Sequence, residues 1–465
     1  MRPLPWRRRP TPCLASLASV LLFAVTVDTV QAAITLNVDD PNSIKAAAKI
    51  AANGMMKYYT GDKPGDTPGN LPQPYYWWEA GAMFGALIDY YYFTGDDTYN
   101  AMTQQAMLHQ TGPDRDFMPP NQTRTEGNDD QGFWAMAAMS AAENNHPNPP
   151  EGEAQWLALA QAAFETQAKR WDNATCGGGL RWQIFTFNGG YNYKNTISNG
   201  CFFNLASRLA VYTSNATYAL WAETVFDWMH NKIGLIDKDY NFFDGSDVLL
   251  QCKEFDHIQW TYNAGVYLAG AANMYNFTGG SPTWEAHLRG IIANLAHFMP
   301  DQSSQILVET ACEPINSCNV DQRSFKAYLA RWMAMAAVKA PAFAPQIKAI
   351  LRANALAAAK TCTGGEDGNQ CGLKWTEGVW DGQLGVGEQM SALEIFQANL
   401  IDYVPGPVNA ESGTSKGDPN AGQGSKVGPG DLHRSKVTTA DKVGAGALTL
   451  GVCGLFLGGV VWLAI

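Results

Sequence analysis

The sequence predicts an all-α protein: an (α/α)6 barrel, a toroid of six helical hairpins, with short β-hairpin insertions in its loops. Three observations carry that expectation. First, apolar residues recur at three- and four-residue steps in about twelve segments, separated by loops rich in Gly, Pro, Asn and Asp. Second, the segments alternate in character. One of each pair is rich in Gly, Ala and aromatics on most faces, as in Gly81-Ala82-Met83-Phe84-Gly85-Ala86 and Gly265-Val266-Tyr267-Leu268-Ala269-Gly270, while its partner is more plainly amphipathic. A helix apolar nearly all round is buried, so six buried helices would be ringed by six half-exposed ones. Third, a turn-and-cap pattern recurs between paired helices: Thr94-Gly95-Asp96-Asp97-Thr98-Tyr99, Thr213-Ser214-Asn215-Ala216-Thr217-Tyr218 and Thr278-Gly279-Gly280-Ser281-Pro282-Thr283-Trp284.

Taken in order, residues 1–32 read as a secretory signal peptide. Arg2 and Arg7-Arg8-Arg9 precede an apolar stretch from Leu14 to Val27, and cleavage is expected after Ala32. The folded part is expected over 33–404, with helices near 42–60, 77–94, 97–110, 129–145, 153–171, 196–213, 216–231, 260–277, 282–299, 321–340, 345–361 and 387–402. Gly179 to Phe187 and Tyr240 to Phe243 are expected as short hairpin pieces. Residues 405–442 read as a small-residue linker and attachment region, and Val443 to Ile465 as an apolar tail. Small residues, polar spacer and terminal apolar tail form the signal for a GPI anchor, with attachment expected between Asn420 and Ser425 and the tail removed on maturation. A membrane-spanning tail is the competing reading, disfavoured because no basic residue follows Ile465.

The chain has 465 residues, 46% hydrophobic, 11% aromatic and 16% charged, the composition of a folded protein with a large core. Its net charge is -11, and losing the basic leader would leave the rest more acidic still. Nucleic acid is therefore excluded as a partner, since a phosphate backbone is held by clustered Lys and Arg. Between the two ends lie Cys176, Cys201, Cys252, Cys312, Cys318, Cys362 and Cys371. In a secretory compartment, short spacing pairs Cys312 with Cys318 and Cys362 with Cys371. One pair among Cys176, Cys201 and Cys252 stays open, and one thiol is left over. Asn121, Asn173, Asn215 and Asn276 begin Asn-x-Thr sequons.

No cofactor or metal is expected. The cysteines and histidines lack ligand spacing, and Asp237-x-Asp239-x-Asn241 fails as a calcium loop, with Phe242 where Gly is needed and Val248 where Glu is expected. Polar residues gather instead at the starts of the buried helices: Trp77-Trp78-Glu79, Asn128-Asp129-Asp130-Gln131, Lys194-Asn195-Thr196 and Trp260-Thr261-Tyr262-Asn263. These starts share one end of a toroid, giving a cleft of carboxylates, amides and aromatic rings. Asp129 and Asp130 are the sharpest pair. Glycoside hydrolysis needs two carboxyl groups, and neighbouring carboxylates push one pKa up, which suits an acid. The same residues also read as a capping box, Asn128 as N-cap with Gln131 reaching back.

The stretch Gly127-Asn128-Asp129-Asp130-Gln131-Gly132-Phe133-Trp134 resembles the signature of glycoside hydrolase family 76, the endo-α-1,6-mannanases, in its fungal cell-wall branch. The resemblance extends through Trp77-Trp78-Glu79-Ala80-Gly81-Ala82-Met83, Gly178-Gly179-Leu180-Arg181-Trp182-Gln183, Lys194-Asn195-Thr196-Ile197-Ser198-Asn199-Gly200, Asp244-Gly245 and Trp260-Thr261-Tyr262-Asn263. It implies the same barrel and a retaining mechanism, with Asp129 as nucleophile and Asp130 as acid/base. Trp78, Glu79, Asn128, Trp182, Lys194, Asn195, Asp244, Tyr262 and Asn263 are the expected substrate-binding residues.

The expected function is thus a retaining endo-α-1,6-mannosidase acting on mannan or a GPI-core glycan. The fungal branch implies a transglycosidase, with wall glucan or water as acceptor, held at the outer face of the plasma membrane and in the cell wall. A non-catalytic mannan-binding wall protein is the alternative; only the enzyme needs two carboxyl groups facing one bond.

Overall fold

The computed structural model describes residues 34–425 and Thr449. The expected leader, most of the attachment region and nearly all of the apolar tail lie outside these residues. Among the described residues, twelve α-helices account for most of the fold: α1 (Pro41–Met56), α2 (Trp77–Thr94), α3 (Asn100–His109), α4 (Asn128–Glu143), α5 (Trp156–Lys169), α6 (Thr196–Thr213), α7 (Ala216–Asp227), α8 (Thr261–Phe277), α9 (Pro282–Asn294), α10 (Phe325–Lys339), α11 (Ala344–Thr361) and α12 (Val386–Gln397). The even-numbered helices pack each on the next, and α12 returns to α2, closing an inner ring. The odd-numbered helices lie outside it, α5 against α4 and α6, α1 chiefly against α12. Because inner and outer helices alternate along the chain, all six inner N-termini meet at one end.

Local chemistry sets the helix ends. Asp40 caps α1, accepting from the Asn42 N–H at 2.9 Å, ahead of Pro41. Asn195 caps α6 and Asn215 caps α7 in the same way. Gly95, left-handed at φ 76°, ends α2. A further regularity allows the ring to close: Gly81, Gly132, Gly200 and Gly265 are each the fifth residue of their inner helix. A Cβ there would run into Trp134, Cys201, Val266 and Trp332 respectively, each on the next inner helix. Missing side chains let neighbouring helices approach where the ring is tightest.

Three differences from expectation stand out. The strands are not 179–187 and 240–243 but β1 (Tyr193–Asn195), β2 (Gly245–Asp247) and β3 (Phe255–Asp256), an antiparallel sheet in the order β1-β2-β3. The expected segments supply only isolated bridges, Gly127 with Gln183 and Ile236 with Phe242, because Ile184 and Phe185 pack with Met118 rather than pairing. The capping of α4 also differs: Gly127 is the N-cap, and the Asp130 carboxylate accepts from its N–H at 2.6 Å, while the Gln131 amide reaches Asp116 and Thr166. Finally, residues 405–425 are not a free linker. They lie on the barrel, with the Val408 N–H donating to Glu143 O and the Ala410 N–H to Tyr212 O.

Disulfides join Cys312 with Cys318, Cys362 with Cys371 and Cys176 with Cys252, leaving the buried Cys201 as the free cysteine among the described residues.

Candidate active site

The inner N-termini surround a cleft of about 600 Å³. Its lining includes Trp77 and Trp78 from α2, Asp129, Asp130 and Phe133 from α4, Asn195 from the cap of α6, Tyr262 from α8 and Phe325 from α10. The loops add Glu126, Trp182, Asp244 and Asp321, and β1 adds Tyr193. No Lys, Arg or His lines it among the described residues.

Asp129 and Asp130 occupy the first turn of α4, where the helix dipole favours negative charge. Burial pushes both carboxyl groups up. Their surroundings then separate them. Asp129 is eased back toward the charged form by backbone N–H groups and by the Asn195 and Ser198 side chains of the facing α6. Asn195 is placed for this because its Oδ1 caps α6, leaving its NH2 free to turn to the carboxylate. Asp130 has only the Gly127 N–H, and it faces the charge of Asp129 and of Asp321, so it holds its proton more tightly. Of the two, Asp130 therefore holds a proton the more tightly, beside an Asp129 whose own carboxyl burial has pushed up to about 7. Gly127 is part of this arrangement, since a Cβ there would collide with Asp129 Oδ1 and with the Trp182 carbonyl.

The aromatic walls are braced. Trp78 packs against Phe133 at 4.7 Å between ring centroids, and its Nε1 donates to Asp321 Oδ1 at 3.1 Å. Tyr262 stacks on Phe325 at 3.8 Å. Trp182, 37% exposed, stands at the rim, its backbone bonded to Asn128 and Tyr193. Asp244 accepts from the Tyr193 hydroxyl at 2.9 Å and is pushed up to about 6, mainly by burial.

Of the expected residues, Asp129, Asp130, Trp78, Trp182, Asn195, Asp244 and Tyr262 therefore meet in the cleft. Four do not. Asn128 is a clamp: its Oδ1 accepts from Arg170 and its Nδ2 donates to the Arg181 carbonyl, both at 2.8 Å. Lys194 is fully buried, its ammonium donating to the carbonyls of Asp172, Thr175 and Gly178 and paired with the Asp172 carboxylate. Glu79 and Asn263 are buried and do not line the cleft. The expected set also omitted Asp321, Glu126, Tyr193 and the α10 start. The rule that cleft residues sit at inner-helix starts would have found Asn319, Asp321 and Phe325 had it been carried on to the fifth inner helix.

Comparisons with known proteins agree with this geometry. The model of glycosyl hydrolase family 76 matches residues 43–411. The mannan endo-1,6-alpha-mannosidase DCW1 of Saccharomyces cerevisiae is 48% identical over 90% of this chain and 92% of its own. The crystal structure of Dfg5 from Chaetomium thermophilum in complex with glucosamine is 45% identical, with a TM-score of 0.81 over 84% of this chain and 98% of that one. The fold extends to an α-1,6-mannanase of Salegentibacter sp. HEL1_6, 19% identical with a TM-score of 0.60 over 77% of this chain and 98% of that one. The chain belongs to glycosyl hydrolase family 76.

Proposed function

We propose that this protein is a retaining endo-α-1,6-mannosidase built on an (α/α)6 toroid, and that Asp129 and Asp130 perform its chemistry. The observation that carries the reading is the asymmetric pair: neighbouring carboxyl groups on one helix turn, of which Asp130 accepts from the Gly127 N–H and is raised further by the charge of Asp129 and Asp321. Asp129 attacks the anomeric carbon as the glycosidic C–O bond breaks, and Asp130 gives its proton to the departing oxygen. Asp130 then takes a proton from the acceptor hydroxyl, whose oxygen displaces Asp129 and restores both groups. Trp78, Trp182 and Tyr262 offer flat apolar faces for sugar rings, and Asp244, Asp321 and Asn195 offer partners for hydroxyl groups. The mannosidase relatives at 40% identity and above support α-1,6-linked mannose as the substrate.

The acceptor is water or a second sugar. We assign the protein to the outer face of the plasma membrane and the cell wall, held by a GPI anchor. There a GPI-core glycan as donor and wall glucan as acceptor would make the net reaction an attachment of proteins to the wall. Incubation with short α-1,6-mannosides, alone and with a glucan acceptor, followed by sizing of the products tests both parts. Shortened mannosides are expected without acceptor, and mannosylated glucan with it. Intact mannosides that nevertheless bind the protein would favour the non-catalytic alternative.

A further inference from the structure

The segment 405–425 runs on beyond the end of the family match at residue 411 and takes a course that the cleft chemistry does not require. It starts at the far end of the barrel, where the Val408 and Ala410 N–H groups meet the last residues of α4 and α6. The Thr414 N–H and hydroxyl donate to Asn145, and Ser415 accepts from the Leu157 N–H at the start of α5. The Asp418 N–H donates to Gln161 at 2.9 Å, midway along α5. The Lys169 ammonium, on the last turn of α5, donates to the carbonyls of Gly422 and Gln423. Ser425 then lies beside Asp116. Asp116 in turn accepts through its carbonyl from Gln131, in the first turn of α4 beside the catalytic pair. The strap therefore runs the whole length of α5, about 21 Å, from the far end of the barrel to the end that carries the cleft.

Close seating is built into its composition. A Cβ on Gly417 would lie 2.5 Å from Gln161 Oε1, and one on Gly422 would lie 2.5 Å from the Ala162 carbonyl. Gly422 also has φ 70°, which side chains resist. A passive linker needs neither feature. The next 17 residues, 426–442, lead to the apolar segment beginning at Val443. An anchor attached at Ser425, the last residue of the range expected from the sequence, would keep the Gly422 and Gln423 contacts and sit at the strap's cleft end directly.

We propose that the strap makes the cleft-bearing end of the barrel the membrane-facing end, so that the partner at the mouth of the cleft is a lipid surface and the glycans attached to it. This rests on the membrane attachment proposed above, but not on the reaction. The test uses the full-length lipid-anchored protein on vesicles whose outer leaflet carries an energy-acceptor dye. A donor dye is placed on Gly189→Cys, exposed in the loop beside Trp182, or on Glu151→Cys, exposed where α5 begins. The Gly189 label is expected to transfer more energy to the bilayer than the Glu151 label. A Gly417→Val/Gly422→Val variant, which cannot seat the strap, is expected to lose that difference while keeping its turnover of soluble mannosides. Equal transfer from both labels, or greater transfer from Glu151, overturns the orientation. So does a difference that survives in the variant when hydrogen exchange shows its strap released. A chain that does not stay on vesicles overturns the proposal at its membrane premise. Turnover of soluble mannosides, measured alongside, reports on the catalytic reading alone.

Discussion

At the residue scale, Asp129 and Asp130 separate chemistry from capping. Asp130→Asn keeps an oxygen able to accept from the Gly127 N–H, so the start of α4 should survive, at a cost of at most about 1–2 kcal/mol. Its turnover on α-1,6-mannosides should collapse, yet a mannoside with an activated leaving group should still glycosylate the enzyme, because that step needs little acid help. Asp129→Asn should fold as well and react with neither donor. Thermal melts beside rates on both donors check this, and near-normal mannoside turnover in either variant would overturn the mechanism. Gly127→Ala probes the support. Its φ of -91° suits alanine, but the new methyl would collide with Asp129 Oδ1. The expected result is a normal melt with a fall of about 10²-fold in kcat, the scale of a 1 Å misplacement. The residues that sequence misassigned show what a type and a spacing leave out. Asn128 and Lys194 have the chemistry of sugar ligands, but Arg170 and three loop carbonyls consume it. Those partners lie 42 residues away for Asn128 and 16 to 22 for Lys194, so no local pattern announces them.

At the scale of elements, the helices were legible and the strands were not, for the same reason. An inner helix of 18 residues repeats its buried stripe over five turns, whereas β1 and β2 have three residues each, too few for an alternation to show. The small sheet is fixed by long-range contacts instead. The Asn195–Gly245 pairing places Asn195 next to Asp129, and the Cys176–Cys252 bridge ties the loop that cages Lys194 to the turn after β2. That bridge closes 76 residues of chain, a large loop for the unfolded state to lose. Cys252→Ser is expected to lower stability by about 2–5 kcal/mol. Peptide mapping without reductant should recover all three bridges and alkylate Cys201 only after unfolding. Recovery of Cys201 in any bridge would contradict the pairing.

At the scale of the whole molecule, closing a ring of helices buries several carboxyl groups, and their titration sets the pH at which the fold is safest. Glu309 is buried and pushed up to about 8, although it accepts from the Thr261 N–H and hydroxyl at the start of α8. Glu388, also buried, is pushed up to about 7, and Asp244 to about 6. Burial is the largest cause in each. Glu79 and Glu126 move the same way, both with carboxyl oxygens that have no partner. An unfolded chain would release these protons near pH 4, so between that point and the raised values the unfolded state binds fewer protons than the folded one. Stability must then fall as pH rises. The contribution is complete below about pH 4 and is lost progressively up to about pH 8, where several groups together forfeit on the order of several kcal/mol. Carboxylates held low by surface partners, such as Asp96 beside Thr98 and Lys49, work the opposite way, but at lower pH. The melting temperature is therefore expected to peak at mildly acidic pH and to drop steadily towards pH 8, as a series of melts in matched ionic strength would show. Glu309→Gln should flatten that slope by removing one titrating group while keeping an acceptor for Thr261. A melting temperature that climbs from pH 5 to pH 8 would mean that these carboxyl groups are charged and paired in the folded protein.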